Sequence, residues 1–343
     1  MKFRKEKLAD ITRCYCVSSV MVDGELHLAF ASEGEGGPCY TFHGPDFSRR
    51  ETVWESGGGT MSFVPVPGRE NEFLATQRFF PGFKAEGAKV VWGVWENGGW
   101  TVRDFCAIPY LHRFDLLRRN GVTHFLGASL CSSKRAREDW SDPGKVFTGI
   151  LPQSWDGRLE TRVLAQGLTK NHGYWRGGSR EAPVGYVACD SGLFRATPPE
   201  TAGGSWGWEE VIRAPISDVA VWDLDGDGRE EYAILHPFHG DCFDLVRPGE
   251  EAPLYQYPGK PTLSHAVWAG SLNGIPAVVG GFREDDAALF VVTYNQAAGR
   301  YDTQIIEEGC GTTNVAVVST PRGDAIAAAN KKLHEAAIYY IEN

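Results

Sequence analysis

Histidine and acidic side chains recur at one position of a repeated segment in this chain. Six segments of similar pattern follow one another about every 50 residues, and the second residue of each is Met61, His112, His172, Asp218, His265 or Asn314. Neutral imidazoles with one carboxylate are a donor set that suits Zn²⁺, Mn²⁺ or Fe²⁺, and an unfilled coordination position would leave room for water or substrate. If the repeats surround a common axis, the pattern predicts a transition-metal site formed by His112, His172, Asp218 and His265.

The elements that must bring these side chains together are the innermost strands of a β-propeller. Apolar runs are short, no long stretch has helical periodicity, and glycine and tryptophan are plentiful, with 41 and 11 residues. These features favour the all-β class, and the repeat length is typical of four-stranded propeller blades. A seventh, weaker copy lies around Arg13-Cys14-Tyr15-Cys16-Val17. We therefore predict a seven-bladed β-propeller, with six or eight blades as the alternatives.

Residues 1–343 are expected to form a single domain, because blades share a continuous core and cannot be cut out singly. The last copy begins near Asn314 and lacks an outer strand, since residues 336–341 are its third strand. Residues 3–11 precede the first inner strand, where the outer strand of a preceding blade is expected. We predict that this N-terminal strand completes the last blade and removes an exposed sheet edge.

In a propeller of this topology, the loops between second and third strands share a rim with the start of the inner strands. Loops on a rigid scaffold often carry function, and here they are rich in polar and aromatic groups. The candidates for the general base are His236, His239, Tyr174 and His334. The candidates for holding a carboxylate or stabilising an enolate are Arg78, Arg283 and Lys331. Flat faces on which a sugar could stack belong to Trp140 and Trp175, for which blade packing is the alternative.

An acidic turn lies between two strands of the fifth copy. From Asp223 to Glu231, oxygen-bearing side chains are interspersed with glycines, as a hard cation such as Ca²⁺ requires. Residues 219–235 resemble an FG-GAP/VCBS repeat, a family of propeller blades whose first turn carries such a motif. The resemblance implies a structural calcium-like site with the ligands Asp223, Asp225, Asp227 and Glu231. The alternative is a solvated Asp-Gly turn without a metal, and in either case the turn falls on the rim away from the histidines.

The histidine-bearing segments also resemble one group of enzymes. Asn171-His172-Gly173-Tyr174-Trp175 and Ser264-His265-Ala266 are similar to segments in the propeller portion of aldos-2-ulose dehydratase and related keto-sugar lyases. Those enzymes combine degenerate FG-GAP-like blades with metal-binding histidines at the channel mouth. The resemblance implies a divalent-metal-dependent lyase, of the hydro-lyase type, that catalyses β-elimination or hydration beside the ketone of a carbohydrate. The metal would bind the ketone and a neighbouring hydroxyl, and a histidine would take the α-proton.

Non-catalytic interpretations compete with this one. Some propellers fill their channel with polar residues and water, so the ring of histidines could be an inert plug. A carbohydrate- or protein-binding propeller would depend on an aromatic patch rather than on convergent imidazoles. Fold alone does not decide between these functions.

Composition and the lack of certain motifs argue against several function classes. The formal net charge of −10 is unsuited to nucleic-acid binding, which needs a basic surface. There is no strand-to-helix Gly-x-Ser-x-Gly elbow, no His-Glu-x-x-His helix and no phosphate-binding glycine loop, as serine hydrolases, zincins and kinases would have. No apolar run is long enough to cross a membrane, and the charged N-terminus is unlike a secretion signal, so we expect a cytoplasmic protein. The 8 scattered cysteines are then expected to be buried thiols rather than disulfides.

Overall fold

The computed structural model describes residues 1–259 and 262–342, and in these ranges the chain consists of strands and turns without an α-helix. Within them, 28 strands pair antiparallel into seven four-stranded sheets. Each inner strand contacts the inner strand of the next sheet, and the last contacts the first, so the sheets form a closed ring. The predicted all-β class and seven-bladed β-propeller are confirmed.

The chain begins with β1 (Lys2–Asp10), and then each blade runs from the axis outwards. The first three blades are β2 (Cys14–Val22), β3 (Glu25–Ser32), β4 (Cys39–His43), β5 (Arg49–Trp54), β6 (Phe63–Pro65), β7 (Glu72–Gln77), β8 (Lys89–Glu96), β9 (Gly99–Ala107), β10 (Leu111–Arg119), β11 (Val122–Ser129), β12 (Gly144–Ile150) and β13 (Arg162–Leu168). Blades four and five are β14 (Gly173–Gly178), β15 (Pro183–Cys189), β16 (Gly192–Thr197), β17 (Gly207–Ile212), β18 (Asp218–Trp222), β19 (Glu231–Leu235), β20 (Phe243–Val246) and β21 (Tyr255–Gln256). The rest of the chain forms β22 (Thr262–Leu272), β23 (Ile275–Glu284), β24 (Leu289–Asn295), β25 (Arg300–Glu307), β26 (Thr312–Thr320), β27 (Gly323–Asn330) and β28 (Glu335–Glu342).

Strand β1 closes the ring. It pairs antiparallel with β28, from Lys2 opposite Glu342 to Asp10 opposite Glu335, and is the outer strand of the seventh blade. The predicted N-terminal closing strand is therefore confirmed, one residue earlier at each end than expected. Because β1 covers the edge of β28, the backbone groups along that edge are paired rather than open to another chain.

The core lies between the blades, where the faces of neighbouring sheets meet. Second strands are deeply buried, and residues 325–329 of β27 are inaccessible to solvent. Because other blades cover both faces of such a strand, its apolar residues form a continuous run instead of alternating with polar ones. Between blades two and three the gap is filled by Trp92, Phe114 and Phe125. This packing holds the blades in place and so fixes where each inner strand begins.

Four inner strands contain a β-bulge near their first residue. The ladder skips Tyr15 in β2, His112 in β10, His265 in β22 and Thr313 in β26. A bulge leaves one residue unpaired and redirects its side chain. In the third and sixth blades, the bulged residue is the predicted ring histidine. In the seventh it is Thr313 rather than Asn314, so the alignment drawn from the sequence is one residue out in that blade.

The cysteines are free thiols in the described ranges, all eight of them. Six are buried, whereas Cys106 and Cys242 are partly exposed. Among the described residues, no helix has the length and apolar character needed to cross a membrane.

Candidate metal centre

A cavity of about 270 Å³ opens at the end of the channel where the inner strands begin. The side chains contributed at or just before the inner strands are Tyr15, Met61, His112, His172 and His265. Those contributed by the ends of second strands and the loops that follow them include Phe79, His239, Arg283 and Lys331. The inner-strand residues and the loops thus share one rim, as the topology predicts.

Three histidines come together in this cavity. One ring nitrogen from each of His172, His239 and His265 lies within 4.8 Å of the other two. The Nε2 atoms of His172 and His239 are 2.9 Å apart, and the rings of His239 and His265 are stacked with their centroids at 5.2 Å. Three imidazoles with one open position are a donor set found in catalytic zinc sites. His172 and His265 were predicted as ligands, whereas His239 was predicted as a base.

Backbone carbonyls of the next blade fix the protonation of these rings. The Nδ1 atom of His172 is 3.2 Å from the carbonyl oxygen of Ser217, and that of His265 is 2.6 Å from the carbonyl oxygen of Thr313. A carbonyl oxygen can only accept a hydrogen bond, so Nδ1 carries the proton and Nε2 keeps its lone pair. Metal-binding histidines are typically oriented by such a contact on their other nitrogen.

The electrostatics keep the imidazoles neutral. Burial lowers the pKa of His172 and of His265 well below the ordinary histidine value, and neighbouring imidazoles and cationic side chains add to the shift. Burial, followed by the positive charges of Arg283 and Lys331, lowers the pKa of His239 to about 3. Neutral imidazole is the form that binds a metal, because a protonated ring has no lone pair to offer.

His112 lies beside this group but is not part of it. Its ring packs on that of His172 with the centroids 4.4 Å apart, and its Nδ1 is 3.1 Å from the carbonyl oxygen of His172. The same argument leaves its Nε2 without a proton. Burial and the charge of Arg113 lower the pKa of His112 well below its ordinary value. His112, predicted as a metal ligand, therefore lies at the cavity wall with a neutral ring, outside the group of three histidines.

Asp218, the fourth predicted ligand, does not join the histidines. It is the carbonyl of Ser217, one residue earlier, that faces His172. Asp218 accepts hydrogen bonds from the backbone N–H groups of Tyr174 and Val219, at 3.1 and 2.9 Å. Burial raises the pKa of this carboxyl to about 7. A Cβ at Gly173 would lie 2.4 Å from the Cα of Asp218, so the close approach of blades four and five requires glycine there.

Arg113 crosses the channel on the inner side of the histidines. It follows His112 in β10, and its guanidinium donates to the carbonyl oxygens of His172 (3.3 Å) and Met61 (2.6 Å). It also donates to the side-chain oxygen of Asn314 in the seventh blade, at 3.3 Å. Asn314 therefore holds this arginine rather than facing the cavity.

Tyr15 is a member of the site that the sequence patterns did not single out. Its hydroxyl lies 3.2 Å from Nε2 of His265, and because that nitrogen has no proton, the hydroxyl donates. Burial raises the pKa of Tyr15 above its ordinary value, so the phenol stays protonated. Tyr15 lies in the weak seventh copy of the repeat, as the third residue of Arg13-Cys14-Tyr15-Cys16-Val17, and its β-bulge corresponds to those at His112 and His265.

The cavity wall carries an excess of positive charge. Its cationic side chains are Arg13, Arg137, Arg283 and Lys331, and its carboxylate is Glu33. Glu33 is buried and forms ion pairs with Lys331 and, at 3.5 Å, with Arg13. Burial, with the nearby charge of Arg283, lowers the pKa of Lys331. Arg283 and Lys331, which were predicted to hold an anionic group, both line this cavity.

Three predicted base candidates lie elsewhere. Tyr174 donates to the carboxylate of Asp115 at 2.9 Å, between blades three and four. His236 pairs with Asp244, and Nδ1 of His334 accepts the backbone N–H of Arg13 at 3.1 Å. Among the described residues that line the cavity, only His239 of the four predicted base candidates is present.

The other residues predicted to bind substrate, Trp175, Trp140 and Arg78, lie in three different surroundings. Trp175 packs between blades four and five, as in the alternative interpretation of the tryptophans. Trp140 packs on Phe83 and Phe238, and the ammonium of Lys134 lies 3.3 Å from the centroid of its ring. Arg78 lines an adjoining cavity of about 570 Å³ together with Lys84, Lys134, Arg135 and Arg137.

The acidic turn contains an internal cation. The guanidinium of Arg247 lies 2.9 Å from both Asp225 and Asp227 and also bonds to Glu231, which is buried. Asp223 instead accepts the backbone N–H groups of two glycines within the turn. Nitrogen donors of the chain thus occupy the oxygens that were predicted as calcium ligands. One oxygen from each of Asp223, Asp225 and Glu231 lies within 4.8 Å of the other two, so a calcium ion at this turn would compete with Arg247 for the carboxylates.

No family model matches this chain, and no curated protein matches it. Among the solved structures that match is a crystal structure of BBS1N in complex with ARL6DN, soaked with mercury. Its TM-score is 0.58 at 11% sequence identity, and the match covers 99% of this chain and 95% of that chain. At this identity the similarity concerns the fold alone. The chain has the fold of a seven-bladed β-propeller.

Proposed function

We propose that the channel mouth binds a divalent transition metal and that the protein is a metal-dependent lyase. Its substrate would be a keto-sugar or a related carbohydrate. The observation that carries the proposal is the convergence of His172, His239 and His265, two of them with Nε2 lone pairs fixed by carbonyl contacts on Nδ1.

The residues fit a zinc, manganese or iron ion. The three rings are neutral because of burial, and their nitrogens lie close enough to share one cation. Such an ion would polarise a ketone and its neighbouring hydroxyl and so acidify the α-hydrogen. The open side of the group faces the cavity, which leaves space for substrate.

Side chains of this chain would supply the proton transfers of a β-elimination. The bare Nε2 of His112 accepts the proton from the carbon beside the ketone, and the C–H electron pair becomes the new double bond. The hydroxyl of Tyr15 gives its proton to the departing oxygen, which leaves as an alcohol or water. Arg283 and Lys331 hold negative charge that develops on the substrate. In this scheme His112 takes the role of base for which the sequence suggested His236, His239, Tyr174 or His334.

The resemblance to keto-sugar lyases supports this choice of reaction. Its essential feature is histidines at the mouth of a propeller channel, and His172 and His265 line such a mouth here. The FG-GAP/VCBS resemblance remains part of the proposal through the acidic turn. If that turn binds calcium, the role is structural, because it joins the far ends of β18 and β19.

A non-catalytic binding propeller is the second candidate. The adjoining cavity of about 570 Å³ carries five cationic side chains beside Phe80 and Phe83, which suits an anionic glycan or an acidic protein segment. BBS1N was solved in complex with ARL6DN, so protein binding by this chain is a reasonable alternative. This function would need neither a metal nor His112.

Metal content measured on protein purified without a histidine tag tests the proposal. We expect stoichiometric zinc, manganese or iron in the wild type and its loss in the double variant His172→Ala/His265→Ala. His124→Ala is the matched control, since it removes another buried histidine that lies outside the site. A wild type that is free of transition metal, even after reconstitution with each ion, would rule out the metal site. Metal that is bound without turnover of any keto-sugar would favour the binding function.

A further inference from the structure

A second group of unlike metal donors lies at the base of the loop that carries His239. His236 directly follows β19, Cys242 directly precedes β20, and Asp244 is the second residue of β20. One nitrogen, one sulfur and one oxygen from these side chains lie within 4.8 Å of one another. The individual contacts are 2.8 Å from His236 Nε2 to Asp244 Oδ2 and 3.2 Å from Cys242 Sγ to Asp244 Oδ1.

We propose that His236, Cys242 and Asp244 bind a second divalent metal of the zinc class. Imidazole, thiolate and carboxylate are the three ligand types that zinc takes in proteins. Metal–ligand distances of about 2.0–2.3 Å place tetrahedral ligands about 3.3–3.5 Å apart. The present contacts are shorter than this by less than about 1 Å, so an ion could enter by a small outward shift of the side chains. The fourth position would be filled by water.

The protonation states are consistent with this site. Burial and the carboxylate of Asp244 raise the pKa of Cys242 to about 11, so in the absence of metal the thiol keeps its proton and donates it to Asp244. Burial alone would raise the pKa of Asp244, but the hydrogen bonds from His236 and Cys242 outweigh it and lower that pKa. A metal ion would take the place of the thiol proton, which leaves to solvent.

The proposed ligands lie at the two ends of the loop that carries His239. His239 stands three residues from both His236 and Cys242, at the tip of the loop, with a φ of 55°. The loop is held near the channel by hydrogen bonds from the N–H of His239 to the Ser217 hydroxyl and from the N–H of Ser264 to the carbonyl of Gly240. An ion that joins the two ends of the loop would restrict its motion and so hold His239 toward His172. The second metal is thus a structural clamp on the channel site.

Cobalt(II) binding distinguishes the two sites, because no cysteine is among the described residues that line the channel cavity. Titration of metal-free, reduced protein with Co²⁺ should give the near-ultraviolet thiolate-to-cobalt charge-transfer absorption in the wild type. Cys242→Ser should abolish this band and bind one Co²⁺ fewer. Cys106→Ser is the matched control, since Cys106 is the other partly exposed cysteine, and it should leave the band unchanged.

The cobalt test of the second metal site is independent of whether the channel site binds a metal. The double variant His172→Ala/His265→Ala should keep the charge-transfer band, whether or not the wild type binds metal at the channel. His236→Gln, a change at a partly exposed side chain, should weaken the band and serves as a second variant if Cys242→Ser does not fold. A wild type without the band, or a band that persists in Cys242→Ser, would overturn the second site.

Discussion

The Nε2 atoms of His172 and His239 lie 2.9 Å apart, although one residue precedes the first strand of blade four and the other lies on a loop of blade five. Nε2 of His172 has no proton, because its Nδ1 donates to the carbonyl of Ser217. The contact is therefore stable only if His239 donates its own proton or if both lone pairs share a cation. Addition of metal should shift the ¹⁵N resonances of both Nε2 atoms together.

His239→Ala should weaken metal binding, whereas His112→Ala should lower turnover without loss of the metal. Removing His239 takes away a proposed ligand. Loss of a residue that merely contacts a ligand typically lowers metal affinity by about tenfold or more, so loss of the ligand itself should lower it at least as much. Removing His112 should leave the metal in place and lower kcat by about 10²–10⁴, the usual contribution of a general base. Isothermal titration with Zn²⁺ and steady-state kinetics measure the two effects. Loss of metal in His112→Ala would instead return that residue to the ligand set.

Arg247→Met should destabilise the protein by about 3 kcal/mol, because it leaves the buried carboxylate of Glu231 without its partner. Arg229→Met is the control, since its exposed pair with Glu250 at 3.0 Å should be worth less than about 1 kcal/mol. Urea unfolding of both variants gives these free energies.

The same variant tests the calcium proposal. Once the guanidinium is gone, Asp225, Asp227 and Glu231 are free to bind Ca²⁺, so millimolar calcium should raise the Tm of Arg247→Met more than that of the wild type. An equal or larger rise in the wild type would mean that calcium displaces Arg247 in the native protein.

The metal-free protein should lose stability as the pH falls below about 6.5. The unfolded chain binds protons on His112, His172, His239 and His265 near that pH, whereas the folded state keeps all four neutral to lower pH. The unfolded state therefore binds more protons, and the free energy of unfolding decreases by about 1.4 kcal/mol per histidine for each pH unit of acidification.

The titration of Asp218 raises the stability as the pH falls, but by less than the histidines lower it. Its folded pKa of about 7 exceeds the unfolded value, so its stabilising contribution is complete at low pH and is lost as the pH rises toward 7. The change in the free energy of unfolding from this one carboxyl cancels that from one of the four histidines, and three remain. Urea unfolding with a chelator present at pH 5.5 and pH 7.5 should show the lower stability at pH 5.5. Equal stability at the two pH values would mean that the channel histidines are accessible to protons in the folded state.

Arg283→Gln should weaken the binding of an anionic substrate or inhibitor. The cavity wall has four cationic side chains and one carboxylate, so removal of one charge should raise KM for a carboxylate-bearing sugar by about tenfold, the effect of roughly 1.4 kcal/mol. A neutral sugar of the same shape should be unaffected. Equal effects on both ligands would mean that Arg283 acts through the shape of the cavity instead of its charge.

The repeats predict the fold well because each blade must begin with an inner strand of similar pattern. They predict the site less well, because a β-bulge shifts the register by one residue. At Thr313 this shift puts the ring position one residue before Asn314. In blade five the ladder is regular, and the carbonyl of Ser217 rather than the side chain of Asp218 contacts His172. His239 enters the site from a loop of another blade, and no strand pattern reports such a contact. Arg247 reaches the acidic turn across a sheet, 22 residues beyond Asp225, which spacing along the chain does not reveal.

Arg113 has a consequence for the mechanical behaviour of the ring. Its guanidinium joins blades three, four, two and seven across the channel, so four inner strands share one side chain as a tie. Displacement of one of these strands would strain its links to the other three. We therefore expect the inner strands around the histidines to move together instead of blade by blade.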